Sequence, residues 1–171
     1  MSAAGTDALG ISGRVEDFYR LQVMPRMAGL PFLNPRLRVE AVGFSLWQGQ
    51  WLGCLVTPWS INLLLLPAAA ADWPALALGE KRRLGFAAGE FEFVCGIDPD
   101  LGEHHDCSLF SPALEFLDQA AAVATARAVL AALHSVDAVD AFPIDCETPS
   151  APRPAPLSRR AFLRGSFADG H

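Results

Sequence analysis

The sequence predicts a single α+β domain, in which a mostly antiparallel sheet of about five or six strands packs against an N-terminal and a C-terminal helix. The chain has 171 residues, 51% of them hydrophobic, which suffices for one buried core but not for two ordinary domains. Apolar residues recur at helical intervals near both ends of the folded part. Between them, short apolar runs alternate with glycine and proline, as in strands joined by turns.

The first helix is predicted over residues 13–28, with Ser12 as its amino-terminal cap. Pro25 lacks a backbone N–H, so we expect it to bend or end this helix. Residues 1–12 are expected to form a flexible N-terminus. The apolar residues that define the helix are Val15, Phe18, Tyr19, Val23 and Met27.

Several apolar runs predict strands in the middle of the chain. Gln48-Gly49-Gln50 separates the first two runs, and a short glycine-containing break is typical of a β-hairpin. Residues 61–66 are apolar on both sides, as in a central strand. Residues 83–86 and 90–94 predict another strand pair, and alternating Glu and Phe in the second predict one solvated face.

An alanine-rich run over residues 117–133 predicts the second helix, whose small side chains suit close packing on a sheet. After residue 141 the chain is rich in proline, serine and arginine, which predicts a flexible, semi-extended tail. We therefore expect a globular domain over residues 13–141 and a tail over residues 142–171.

The tail contains a twin-arginine export consensus, S-R-R-A-F-L-R, over residues 158–164. A working signal needs an apolar stretch and a cleavage site behind the arginines, so this segment is not expected to direct export. We interpret it as a copy of a signal. A disordered basic terminus without such a role is the competing interpretation. The residues that imitate the signal are Arg159, Arg160, Phe162 and Leu163.

Charge and hydropathy exclude several classes of protein. The net charge of -6 argues against nucleic-acid binding, which needs a basic surface, so proteins or basic peptides are the expected partners. The most apolar run, residues 61–71, is interrupted by Pro67 and is far shorter than the roughly 20 residues of a membrane span. The first residues also lack the pattern of a secretory signal. We expect a soluble, cytoplasmic protein.

The cysteines are isolated in sequence, without a C-x-x-C pair, and this pattern predicts neither a zinc ribbon nor a rubredoxin-like iron site. Reduced thiols are the simplest interpretation. His104, His105 and Cys107 form a cluster of ligand-type residues, but adjacent histidines seldom face one metal ion. We expect no bound metal, no cofactor and no catalytic residue. The cysteines are Cys54, Cys95, Cys107 and Cys146.

Two groups of residues are candidates for partner binding. Tryptophans are enriched where protein surfaces meet, so Trp47, Trp51 and Trp59, together with Phe110, are expected to provide apolar contacts. Core packing is the alternative for each of them. Four carboxylates crowd what the sequence predicts to be one loop, where they could bind arginine in bidentate pairs or form only a solvated acidic loop. These carboxylates are Asp98, Asp100, Glu103 and Asp106.

Three motifs in order resemble the HybE, HoxT and HupJ family of nickel-iron hydrogenase assembly chaperones. They are residues 44–51, with Gly49, then G-C-L-V-T-P-W at residues 53–59, then C-S-L-F-S-P-A-L at residues 107–114. The likeness runs from about Val15 to Leu133. An arginine-pair tail is also familiar in this family.

The resemblance implies a non-enzymatic chaperone that attends the hydrogenase small-subunit precursor, with its twin-arginine signal, until maturation allows export. For some members it also implies contact with the large subunit. Some relatives are associated with a rubredoxin module, which in this case would have to come from another polypeptide.

Our working hypothesis is an aromatic-floored, acid-rimmed groove that holds the signal peptide and for which the tail competes. The tail could instead join two copies of the chain. The competing class is a redox or metal-binding protein that protects the iron-sulfur small subunit through Cys54, Cys95 or Cys107.

Overall fold

The computed structural model describes residues 3–68 and 73–134 and shows a six-stranded antiparallel sheet with helices packed on it. This architecture confirms the predicted α+β class. The division at residues 141 and 142 stays a prediction, because the tail lies outside the described residues. The elements are α1 (Ala3–Phe18), a π-helical turn (Tyr19–Val23), α2 (Met24–Met27), β1 (Glu40–Trp47), β2 (Gln50–Val56), β3 (Ile61–Pro67), β4 (Lys81–Phe86), β5 (Gly89–Asp98), β6 (Gly102–Phe110) and α3 (Gln119–His134).

The first helix begins at Ala3, so the predicted start at residue 13 and the Ser12 cap are wrong. The flexibility of residues 1–12 stays a prediction. The predicted disturbance by Pro25 is present, one turn earlier than the proline itself. Met24 N–H bonds to the carbonyl of Tyr19, five residues back, in a π-helical turn. Because Pro25 cannot donate to the carbonyl four residues before it, the wider turn shifts the helical register just before the proline.

The strand order is β1-β2-β3-β6-β5-β4, and every neighbouring pair is antiparallel. The predicted hairpin at Gln48 and Gly49, the β4–β5 pair and the central position of β3 are confirmed. The predicted acidic loop is wrong, since most of it is strand β6, paired on both sides by β3 and β5. The polar residues of β6 lie on both faces of the sheet, so the sequence lacks the alternating apolar pattern that would indicate a strand.

Each face of the sheet carries a separate core. On one face, α1 covers Trp51, Leu55 and Leu64, together with Val15 and Phe18 of the helix itself. On the other face, the alanines of α3 pack on residues such as Cys54, Leu63, Cys107 and Phe93. Residues that alternate along one strand therefore belong to different environments.

The sheet is strongly curved, so that its two outer strands meet. Six strands lying flat would separate β1 from β4 by about 24 Å. Instead, the ring of Trp47 at the end of β1 stacks on that of Phe86 at the end of β4, with centroids 4.5 Å apart. The backbone N–H of Ala87 also donates to the carbonyl of Leu133 in α3. The sheet thus encloses the α3 side of the core.

Asn34 joins three loops at one end of the sheet. Its buried side-chain amide donates to the carbonyls of Ala113 and Phe116, each at 2.9 Å. Its backbone N–H donates to the carbonyl of Pro58 at 2.7 Å. The loop before β1, the β2–β3 turn and the loop after β6 are therefore held together by one residue.

Among the described residues, no helix combines the length and the hydropathy that crossing a membrane requires.

Candidate functional site

The four predicted aromatic contact residues are dispersed over the molecule. Trp51 is 6% exposed beneath α1, whereas Phe110 is buried against Phe116 on the opposite side of the sheet. Trp47 is half-buried in its stack with Phe86, and Trp59 is half-buried in the β2–β3 turn. The structure does not bring these rings together in one groove.

Gly53 does not leave open space beside Trp51. The ring of Phe44, on β1, lies where a side chain at this position would be. The absence of a Cβ therefore allows a neighbour within the protein to pack closely, rather than a ligand.

The predicted acidic residues divide between the two faces of the β5–β6 hairpin. Asp98 and Asp106 lie near Tyr19 on the α1 side, and Asn62 Nδ2 donates to Asp106 Oδ2 at 3.3 Å. Asp100 lies in the turn. Glu103 lies on the α3 side, with Oε1 3.5 Å from His105 Nε2. The carboxylates that can act together on the α1 side are therefore Asp98, Asp100 and Asp106.

The pKa of Tyr19 responds to the negative charge on the α1 side of the sheet. Burial raises the pKa of its hydroxyl well above the ordinary value, and the carboxylates of Asp106 and Asp98 raise it further. The phenol stays protonated, because a phenolate would be a further negative charge beside two carboxylates. A cation brought to this region would relieve the same repulsion.

A shallow groove runs along the outer side of α1 and the π-helical turn, next to the β5–β6 turn. Asp17 and Asp100 supply carboxylates, while Leu9 and Leu21 are 77% and 69% exposed. The Arg14 guanidinium donates to the carbonyl of Leu101 and so ties the helix to the hairpin turn. The groove is lined by Leu9, Gly10, Gly13, Arg14, Asp17, Phe18, Leu21, Gln22 and Asp100.

Sequence reasoning missed this groove because it began the helix at residue 13 and so left Leu9 outside it. The signal was present: Leu9, Gly13, Asp17 and Leu21 follow one another at intervals of four residues, which places them along one side of a helix. The groove combines acidic and apolar side chains with two glycines, and the one guanidinium that lines it, that of Arg14, is hydrogen-bonded to the carbonyl of Leu101. It can accommodate a peptide that carries both positive charge and apolar side chains.

Four exposed apolar side chains lie in the two loops that Asn34 joins, and together they are called the loop patch: Leu30, Phe32, Leu114 and Leu117. All four are exposed, from 36% for Leu30 to 73% for Leu117. The hydrogen bonds of Asn34 bring their two loops together. Apolar side chains grouped on a surface are typical of protein contacts.

His104 faces the opposite side of the sheet from His105 and Cys107, because successive residues of β6 alternate between the two faces. His104 Nδ1 lies 3.0 Å from the carbonyl of Gly102, and its ring covers Gly96. The structure instead groups His105 with Cys95, directly opposite it on β5, and with Glu103, two residues before it on β6. The ligand atoms of these three residues all lie within 4.8 Å of one another.

The other two described cysteines are buried thiols in a row across the sheet. Leu63 of β3 lies between Cys54 and Cys107 and pairs with both. Two strand spacings, about 9.6 Å, exceed the Cα separation of about 7 Å that a disulfide tolerates. Burial also raises the pKa of the Cys54 thiol well above its ordinary value. The separation excludes a disulfide between the two, and burial with the raised pKa keeps the Cys54 thiol unreactive.

The sequence profile of the family described as NiFe-hydrogenase assembly chaperone, HybE, matches residues 11–165. The chain belongs to this family. In this chain, the sequence motif at residues 53–59 forms the second half of β2 and the turn after it. The motif at residues 107–114 forms the end of β6 and the start of the loop that follows. The two meet where Ala113 N–H donates to the carbonyl of Trp59.

Individual relatives agree with the assignment to the HybE family. The chain is 39% identical to hydrogenase expression/formation protein HupJ of Bradyrhizobium diazoefficiens over 84% of this chain and 80% of that protein. It is 39% identical to probable rubredoxin HupJ of Rhodobacter capsulatus over 74% of this chain and 45% of that protein. The solution structure of HybE from Escherichia coli has 26% identity, a TM-score of 0.55, and matches 88% of this chain and 87% of that one.

Membership in the HybE family makes this chain a hydrogenase assembly chaperone and not an enzyme, with hydrogenase subunits as its partners.

Proposed function

We propose that the chain holds the small-subunit precursor of a nickel-iron hydrogenase by its twin-arginine signal and so prevents premature export. The observation that carries the proposal is the groove along α1, where Asp17 and Asp100 accompany the exposed Leu9 and Leu21. The proposed place of action is the cytoplasm, where the precursor is folded and assembled before export.

The carboxylates of the groove complement the charge of a twin-arginine signal. A carboxylate can accept two parallel hydrogen bonds from one guanidinium, and Asp17 and Asp100 offer two carboxylates on one groove. Asp98 and Asp106 lie near Tyr19, which belongs to the same side of the hairpin, and they add to the negative potential. A pair of adjacent arginines has the complementary charge.

The apolar side chains of the groove complement the residues that follow the arginine pair. A twin-arginine consensus continues with Phe and Leu, as the tail copy does at Phe162 and Leu163. Leu9, Phe18 and Leu21 line the groove and can bury such side chains. The tryptophans are not needed for this contact, and the α1 groove replaces the aromatic-floored groove as the proposed binding site.

The loop patch is the proposed contact for the folded body of the precursor, with the large subunit as a further partner. Apolar loops held in fixed positions by Asn34 can bind a protein surface that assembly later covers. One relative is named a probable rubredoxin, and a separate rubredoxin-like polypeptide is a proposed partner during maturation.

Titration calorimetry with a synthetic leader peptide of a small-subunit precursor tests the groove. We expect saturable binding, and weaker binding of the same peptide with both arginines replaced by lysine, since lysine lacks the planar fork. Asp17→Asn and Asp100→Asn should each weaken binding by about tenfold, the loss of about one charged hydrogen-bonded pair.

Glu115→Gln is the matched control, because Glu115 is an exposed carboxylate in the loop after β6 and does not line the groove. This variant should bind the peptide like the parent. No saturable heat with the leader peptide would refute the proposal. Equal effects of Asp17→Asn, Asp100→Asn and Glu115→Gln would show that net charge, and not this groove, drives binding.

A further inference from the structure

A buried group of three ligand-type side chains lies between β5 and β6, on the opposite side of the sheet from the α1 groove. His105 is 0% exposed, Cys95 is 2% exposed, and the side chain of Glu103 is 27% exposed. Cys95 and His105 are directly opposed across the hairpin. The ring of Trp73 stacks on His105, with centroids 4.3 Å apart, and covers it.

The histidine of this group has unused hydrogen-bonding capacity. Among the described residues, His105 Nδ1 has no hydrogen-bond partner and Nε2 has only the long contact with Glu103 Oε1 at 3.5 Å, although both nitrogens are buried. Buried imidazole nitrogens are normally paired, since an unpaired buried polar atom costs about 1–3 kcal/mol. A metal ion would satisfy one of them.

Two of the three distances between the ligand atoms match a four-coordinate shell, and the third, from Cys95 Sγ to the His105 ring, is at most 4.8 Å. Around Zn²⁺, tetrahedral geometry puts nitrogen and oxygen ligands about 3.3 Å apart, and sulfur and oxygen ligands about 3.6 Å apart. Glu103 Oε1 lies 3.5 Å from His105 Nε2 and 3.7 Å from Cys95 Sγ. Sulfur, nitrogen and carboxylate oxygen are the donors that Zn²⁺ accepts.

Metal binding requires the Cys95 thiol to lose its proton. In the metal-free chain, Cys95 Sγ lies 3.7 Å from Glu103 Oε1, to which it can donate. A bound cation would release this proton to solvent and replace the thiol–carboxylate hydrogen bond with a metal–sulfur and a metal–oxygen bond.

We propose that Cys95, Glu103 and His105 form a binding site for a divalent transition metal ion of the zinc type. Three protein ligands leave a fourth position for water or for a partner's side chain. Glu103, the most exposed of the three, marks the side from which the ion enters.

Metal uptake by the full chain tests the proposal. The reduced protein, stripped with a chelator, is titrated with Zn²⁺ against a chromophoric competitor, and we expect one tightly bound equivalent. Titration with Co²⁺ should give a thiolate charge-transfer band and the strong visible bands of a tetrahedral ion.

Cys95→Ser and Glu103→Gln should lose at least about tenfold in Zn²⁺ affinity, and Cys95→Ser should also lose the thiolate band. Glu103→Gln is the safer variant for folding, because Glu103 is partly exposed. Cys54→Ala removes a buried thiol elsewhere on the same face, and His134→Asn removes an exposed histidine. Both controls should keep the site.

Three results would overturn the proposal. They are the absence of a saturable equivalent in the parent chain, an unchanged affinity in both ligand variants, and a Co²⁺ complex without a thiolate band. The site lies across the sheet from the α1 groove, so peptide binding by Glu103→Gln should be unchanged, and the two proposals can fail separately.

Discussion

Asn34 determines the relative positions of three loops with a single side chain. Its amide donates two hydrogen bonds, and its Oδ1 accepts a third from the backbone N–H of Arg36 at 3.0 Å. No motif in the sequence singles it out, because Asn-Pro is also the ordinary signature of a turn. Its role depends on two carbonyls about eighty positions later in the chain, which only the folded structure reveals.

Asn34→Ala should lower the free energy of unfolding by about 2–4 kcal/mol, because it leaves the buried carbonyls of Ala113 and Phe116 unpaired. Urea denaturation followed by tryptophan fluorescence measures this loss. A change below about 1 kcal/mol would mean that water or a loop movement satisfies these carbonyls.

Tyr19 offers a spectroscopic measure of the charge beside the α1 groove. It is the chain's only tyrosine, so phenolate absorbance reports on this residue alone. Its pKa is raised in the folded state, and the stability associated with the protonated phenol is present below the unfolded pKa, about 10. That stability is lost as the pH rises above this value.

We expect the phenolate of the native chain to appear only well above pH 10, and Tyr19→Phe to make stability less dependent on pH in the alkaline range. Asp106→Asn and Asp98→Asn should each lower the titration midpoint, whereas Glu115→Gln should not. Titration of the native protein at the ordinary value for tyrosine would contradict the placement of this hydroxyl.

At the scale of single elements, the close approach of β1 and β2 depends on a glycine. A Cβ on Gly53 would overlap the Phe44 ring, which is itself held under α1. Gly85, in β4, has no atom within 4 Å of such a Cβ. The two glycines therefore differ in packing, while both lie within strands.

Gly53→Ala should destabilise the fold by about 1–3 kcal/mol through overpacking. Gly85→Ala, the matched control, should be neutral or slightly stabilising, because it adds a side chain in open space. Thermal unfolding of the two variants compares them directly. Equal melting temperatures would show that the Phe44 ring moves aside without cost.

The elements that the sequence predicts well are those with one solvated face or a clear turn. Alternating Glu and Phe identify β5, and the Gln48-Gly49 turn identifies the β1–β2 hairpin, from neighbouring residues alone. Strand β6 was predicted as a loop, since Glu103 and His105 are buried or half-buried polar residues that contradict the usual pattern. Their neighbours on β5, above all Cys95, become apparent only once the hairpin register is known.

At the scale of the whole molecule, we propose that the tail competes with external ligands for the α1 groove of the folded body. The tail lies outside the described residues, and its twin-arginine copy is known from sequence. A tether of this length gives an effective concentration on the order of millimolar. Even a weak internal ligand would then reduce the affinity for a client signal.

A chain ending at Pro149 should bind the leader peptide about tenfold more tightly than the full chain, if the tail peptide binds with a Kd near 0.1 mM. Replacing Arg159 and Arg160 with lysine in the full chain should give part of the same gain. Identical affinities of the truncated and full chains for the leader peptide would exclude competition. If light scattering shows a dimer of the full chain that truncation abolishes, the tail instead mediates self-association.

Curvature of the sheet has a consequence for how clients can be recognised. The outer strands meet through Trp47 and Phe86, β1 is interrupted by a bulge between Val42 and Ser45, and β4 presents Lys81 and Arg83 to solvent. A bulge and like charges at the edge of a sheet both disfavour pairing with a strand of another chain. A sheet with such edges disfavours recruitment of a client strand into its own β-structure, so we expect clients to be recognised through side chains.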